Sequence, residues 1–167
     1  MVRKIISGGQ TGVDQAALDA AMEVGVAYGG WLPAGRRTER GPLPQRYYHM
    51  QELPTDSYPE RTRKNIENAD ATLIVSRGGL TGGSALTAKI AGEMDKPCLH
   101  MDLELSAGCA ATHIEQWLCR HQPEILNIAG PRASSDAAIY DQVLALIKEI
   151  MHRRGGDRGM SDYAKED

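Results

Sequence analysis

Residues 4–21, KIISGGQTGVDQAALDAA, pass from a short β-branched run through small and polar residues into a helical spacing. Residues 71–94, ATLIVSRGGLTGGSALTAKIAGEM, repeat that order. This feature constrains the fold most. A strand that runs through a glycine turn into a helix cannot pair with the next strand through a hairpin. It must cross over and pair in parallel.

The rest of the chain keeps the alternation. Apolar runs predict strands over 4–7, 26–32, 47–53, 71–75, 97–101 and 124–129. Helical spacing predicts helices over 15–24, 59–69, 110–121 and 137–151, with a further helix after Ser84. The stretch 33–44, PAGRRTERGPLP, reads as loop. The fold class expected is α/β, a doubly wound, mainly parallel sheet in three layers with helices on both faces. A single ligand-binding domain over 1–152 accounts for the pattern, with a polar tail over 153–167.

Composition narrows the function. The net charge of −3 argues against a nucleic-acid or membrane-surface binder. Three cysteines without a C-x-x-C pair fit a reduced, cytoplasmic setting and offer no zinc knuckle. The apolar run in MVRKIISGG is too short for a secretion signal, and no stretch approaches the roughly 18 apolar residues of a membrane span. Arginine outnumbers lysine 13 to 6. Its planar fork of donors suits phosphate and carboxylate.

In a parallel sheet all strand-to-helix turns share the carboxyl edge, where ligands bind. Three turns here carry small residues: 8–12, 78–84 and 130–135. Helix amino ends present unpaired N–H groups, and glycine lets that backbone approach an anion. A cradle for a phosphate-bearing ligand is therefore expected. Asp14 is awkward for an anion. It reads as a helix-start residue or as the partner of an arginine or a ligand hydroxyl. Of the arginines near that edge, Arg40, Arg46 and Arg63 read as solvated charges. His100, Asp102 and Glu104 alternate after Pro97, a pattern better explained by a half-exposed strand end than by a metal site.

Five segments in order resemble the molybdenum carrier protein family: SGGQTGVDQAALDAA, LPAGRRTERGPLP, YPERTRKNIENADATLIV, GGLTGGSALTA and ILNIAGPRAS. That family is similar to the lysine-decarboxylase-like and cytokinin-activating phosphoribohydrolase group, with its Rossmann-like sheet. The resemblance implies a protein that binds molybdenum cofactor, a pterin bearing a phosphate, as a homo-oligomer (dimer or tetramer), and delivers it to a molybdoenzyme. It implies ligand contacts from Gly9, Gln10, Thr11 and Gly12 in the first turn, and from Gly79, Thr81, Gly82, Gly83, Ser84 and Thr87 in the second. Arg61, Thr62 and Asn65 match the helix facing the ligand, and Arg132 and Ser134 the last turn. The phosphoribohydrolases carry a Glu where this chain has Thr87, and threonine cannot serve as a carboxylate base. That favours binding over nucleotide processing, which stays as the alternative, together with a nucleotide sensor.

Overall fold

A computed structural model of the chain describes residues 1–106 and 108–156. Six parallel strands form one sheet: β1 (Lys4–Ile6), β2 (Ala27–Leu32), β5 (Met50–Glu52), β6 (Ala71–Ser76), β7 (Cys98–Asp102) and β8 (Ile125–Ala129). Their order is β5-β2-β1-β8-β6-β7. The short β3 (Arg37–Thr38) and β4 (Gly41–Pro42) pair as a separate antiparallel hairpin.

Among the described residues five α-helices cover the sheet. α1 (Val13–Glu23) packs on α5 (Ile139–Gly156), and α5 on α4 (Ala110–His121). α2 (Tyr58–Glu67) packs on α3 (Gly82–Glu93). The doubly wound α/β reading holds. The strand expected over 47–53 shrinks to Met50–Glu52, because Tyr47 is drawn wholly into the core. The loop expected over 33–44 holds a 3₁₀ turn, Ala34–Arg36, and the hairpin. α5 runs past the expected start of the tail to Gly156. The remainder of the expected tail, 157–167, lies outside the described residues.

The chemistry of the sequence explains these elements. Every residue of β6, ATLIVS, is buried, as expected of an inner strand of a parallel sheet covered on both faces. Ala16, Ala17, Ala20 and Ala21 are fully buried and let α1 lie close to the sheet and α5. Ser57 caps α2 by accepting the Glu60 amide at 3.3 Å, with Pro59 in the first turn. With no Phe, the core is built from Ile, Leu, Val, Ala and Met with Tyr28 and Tyr47, and the Tyr47 hydroxyl donates to Asp19 Oδ1 at 2.8 Å.

Strand order reverses around β8, which lies between β1 and β6. The crevice at the carboxyl ends of these strands is where a doubly wound sheet accepts a ligand.

Candidate functional site

A cavity of about 200 Å³ opens in that crevice. The β1–α1 turn contributes Gly8, Gln10 and Asp14. α2 contributes Arg61, Thr62 and Asn65, and the start of α3 contributes Thr81, Gly82, Gly83, Ser84 and Thr87. β8 and its turn add Asn127, Ala129, Gly130, Pro131, Arg132 and Ser135. A second cavity of about 380 Å³ shares Thr81, Ser84, Pro131 and Ser135 with it. Gly79 lines this second space.

The structure thus brings together Gln10, Arg61, Thr62, Asn65, Thr81, Gly82, Gly83, Ser84, Thr87 and Arg132, and sets Gly79 next door. It places Gly9, Thr11, Gly12 and Ser134 outside the cavity lining. The physical reason is packing. A Cβ on Gly9 would meet Leu32 at 2.4 Å. One on Gly12 would lie 2.5 Å from the Pro131 carbonyl oxygen, and Gly12 holds φ +79°. The Thr11 hydroxyl accepts the Ala133 amide at 3.1 Å and donates to Glu39. Ser134 donates both its amide and its hydroxyl to Glu39. Glu39 therefore ties the hairpin to the first and last turns. These bonds hold its carboxyl below the usual carboxylate range, against the opposing effect of burial.

The amides of the first turn are also engaged. Gly9 N–H donates to Ser7 Oγ at 3.2 Å, Gln10 N–H to Asp14 Oδ2 at 3.1 Å, and Thr11 N–H to Gln10 Oε1 at 3.0 Å. The second turn differs. Nothing lies within 4 Å of a Cβ added to Gly79, Gly82 or Gly83. Thr81 is the N-cap of α3 yet makes no side-chain cap. The first amides of a helix have no intrahelical acceptor, so those of Gly82 and Gly83 are available to an anion. The Thr87 hydroxyl donates back to the Gly83 carbonyl at 2.8 Å. Arg132 is exposed and makes no salt bridge among the described residues.

Arg61 and Asp14 form a buried ion pair. Arg61 Nη1 donates to the Gly8 carbonyl at 2.7 Å and to Asp14 Oδ2 at 3.2 Å. Gly8 has no side chain because Arg61 lies on it: an added Cβ would sit 1.7 Å from Nη1. Burial raises the Asp14 carboxyl to about 6, and Arg61 with the Gln10 and Gly8 amides only partly offsets this. Asn65 faces the cavity but is fully occupied. Its Oδ1 accepts Trp31 N–H at 2.9 Å, and its Nδ2 donates to the carbonyls of Trp31 and Arg61. Gln10 Nε2 and Arg61 Nε are buried without a hydrogen-bond partner.

Several other arginines are committed elsewhere. Arg36 donates to the Leu43, Pro44 and Tyr47 carbonyls, and Arg37 pairs with Asp56. Arg77 makes a two-pronged pair with Asp136. Arg63 pairs with Glu93 on the surface. Arg46, expected to be merely solvated, bonds the buried Asp19 at 3.1 Å and stacks on Tyr47. His100 Nε2 lies 2.7 Å from Ser76 Oγ, while Asp102 Oδ1 accepts the Gly78 and Glu104 amides. Among the described residues no three metal-ligating side chains converge.

Asp14 and Asn127 were absent from the expected ligand contacts. A lone asparagine inside the buried strand ILNIA was the signal for Asn127. Asp14 pairs with an arginine, one of the roles its position allowed.

Comparison with known proteins identifies the family. The family model described as "Circularly permutated YpsA SLOG family" matches residues 5–151. A search of curated proteins finds no match. Among solved structures, a Syntrophus aciditrophicus protein described as "Putative molybdenum carrier protein" is 50% identical, with a TM-score of 0.87. The match covers 90% of this chain and 95% of that one. With one family model spanning nearly the whole fold, and 50% identity to that solved protein over 90% of the chain, the chain belongs to the circularly permutated YpsA SLOG family.

Proposed function

We propose that this chain is a binding protein for molybdenum cofactor, holding the phosphorylated pterin in the switch-point cavity. The observation that carries the reading is the open amino end of α3. Gly82 and Gly83 face free space there, and Thr81 leaves the helix uncapped. The phosphate sits against those amides, with the Thr81 and Ser84 hydroxyls as further donors and Arg132 as counter-charge. The unpartnered donors of Gln10 and Arg61 fit a ligand rich in acceptor atoms. The description of the Syntrophus aciditrophicus relative as a molybdenum carrier supports the cargo. The second cavity, which shares four residues with the first, gives the ligand room beyond 200 Å³.

In this reading residues 1–152 work as one domain, the chain acts in the cytoplasm as a homo-oligomer, and a molybdoenzyme receives the cargo. No helix among the described residues is long and apolar enough to cross a membrane. The test is loading. The chain is mixed with cofactor released anaerobically from a molybdoenzyme, then separated by gel filtration. About one molybdenum and one pterin phosphate per chain are expected to stay bound, and Gly83→Val should retain less than about a tenth of that. Equal retention by Gly83→Val would remove the α3 cradle, and no retention by wild type would overturn the cargo.

A nucleotide-processing enzyme or sensor is the second reading, favoured by one observation. The cavity contains a carboxyl at about 6 beside an arginine, although Thr87 supplies no acid. Base release from nucleoside monophosphates, lost in Asp14→Asn and with a pH dependence near 6, would promote it.

A further inference from the structure

Gln10, a lining residue of the cavity, carries an unpartnered donor. Gln10 is 6% exposed, and its Oε1 is used twice, by the amides of Thr11 at 3.0 Å and Glu39 at 2.9 Å. Those bonds fix the amide orientation, so Nε2 is the end that lacks a partner. A buried N–H without an acceptor is costly and marks a place where a ligand atom belongs. Asp14, four residues on, supplies the opposite character. Its carboxyl takes hydrogen bonds from Gln10 N–H and Arg61 Nη1 and faces Gly8 N–H. A carboxylate accepts about four, which leaves capacity for a further donor.

We propose that Gln10 and Asp14 read the ring of the ligand. Gln10 Nε2 donates to a ring carbonyl, and the Asp14 carboxyl accepts from the neighbouring ring N–H and exocyclic amine. The cavity then selects a 2-amino-4-oxopyrimidine edge. This assignment rests on the reading of the cavity as a site for a phosphorylated pterin. Pterins share that edge with guanine, while adenine lacks the carbonyl and ring N–H, and xanthine replaces the amine by a carbonyl that an ionised Asp14 repels. The phosphate is held by α3, so ring and phosphate are gripped by different turns.

The experiment is a calorimetric titration of the full chain with neopterin monophosphate, GMP, AMP and XMP at pH 7.5. Wild type is expected to bind neopterin monophosphate and GMP at least about tenfold more tightly than AMP or XMP. Tighter binding of neopterin monophosphate than GMP identifies the pterin as the source of the edge, and the reverse identifies guanine. Asp14→Asn, which offers a donor where the carboxylate accepted, is expected to move the preference toward XMP. Gln10→Glu keeps an acceptor for the Thr11 and Glu39 amides and removes the free donor. It should weaken both favoured ligands by about tenfold or more, in a chain that keeps the wild-type circular-dichroism spectrum. Equal binding of all four monophosphates by wild type would overturn the ring assignment and leave the phosphate cradle standing. No binding of any would overturn both.

Discussion

At the scale of single residues, Asp14 has the clearest consequence. Its carboxyl titrates near 6 in the folded chain against an ordinary 3.8, so the folded state holds this proton more tightly than the unfolded one. The Asp14 contribution to stability is therefore greatest below about pH 4 and is lost as pH rises through about 6, by roughly 3 kcal/mol in all. Asparagine does not titrate. The difference in unfolding free energy between wild type and Asp14→Asn should shift by about that amount between pH 4 and 7.5, read from denaturant curves. A constant difference would contradict the assignment. Glycines divide in the same residue-by-residue way. Gly12→Ala forces a Cβ against the Pro131 carbonyl at φ +79° and should cost about 2 kcal/mol or more. Gly83→Ala meets open space at the start of a helix and should change stability by about 0.5 kcal/mol or less. Thermal unfolding of the two variants separates packing glycine from cavity glycine. None of this was readable from GGQTG and GGLTGG, which look alike as strings. What faces each missing side chain comes from segments far along the chain: Leu32 at Gly9, Pro131 at Gly12, nothing at Gly83.

At the scale of elements, the turns differ in duty. The β1–α1 turn is closed on itself through Ser7, Asp14 and Gln10, while the β6–α3 turn stays open. Periodicity located both turns, because a buried strand followed by a helical spacing needs no long-range information. It could not find the hairpin over β3 and β4. Two-residue strands carry no period, and this pair is held by Glu39 reaching Thr11 and Ser134. Glu39→Ala should release that hairpin, at a cost of about 1–2 kcal/mol. Hydrogen exchange should quicken at the Ser134 and Glu39 amides while β6 and β8 stay protected. Unchanged exchange at those amides would show that the latch does not hold the hairpin. The ion pair of Arg61 with Asp14 was legible in part, since Asp14 begins a helix and an arginine partner was one of its expected roles. Which arginine it takes depends on α2 folding back over the first turn, 47 residues away.

For the whole molecule, the sequence order of strands and helices dictated a doubly wound sheet, and the sheet dictated where a ligand can sit. β8 is the last strand among the described residues, yet it lies between β1 and β6 and makes the crevice. That insertion joins the first, second and last turns at one edge, which a left-to-right reading expected only from the shared carboxyl side. A ligand seated there bridges α2, α3 and the ends of β1 and β8, so it should stabilise the entire fold. At a hundredfold excess over Kd the gain is about 2.7 kcal/mol, a rise in Tm of roughly 5–10 °C. In the proposed reading the α3 turn, not the first turn, receives the phosphate. The most direct measurement follows backbone amide resonances of the ¹⁵N-labelled chain while inorganic phosphate, which has no ring, is added. The largest shifts are predicted at Gly82, Gly83 and Ser84, with small ones at Gly9 and Gly12. Shifts concentrated at Gly9 and Gly12, or no shift at Gly82 and Gly83 at saturating phosphate, would contradict it.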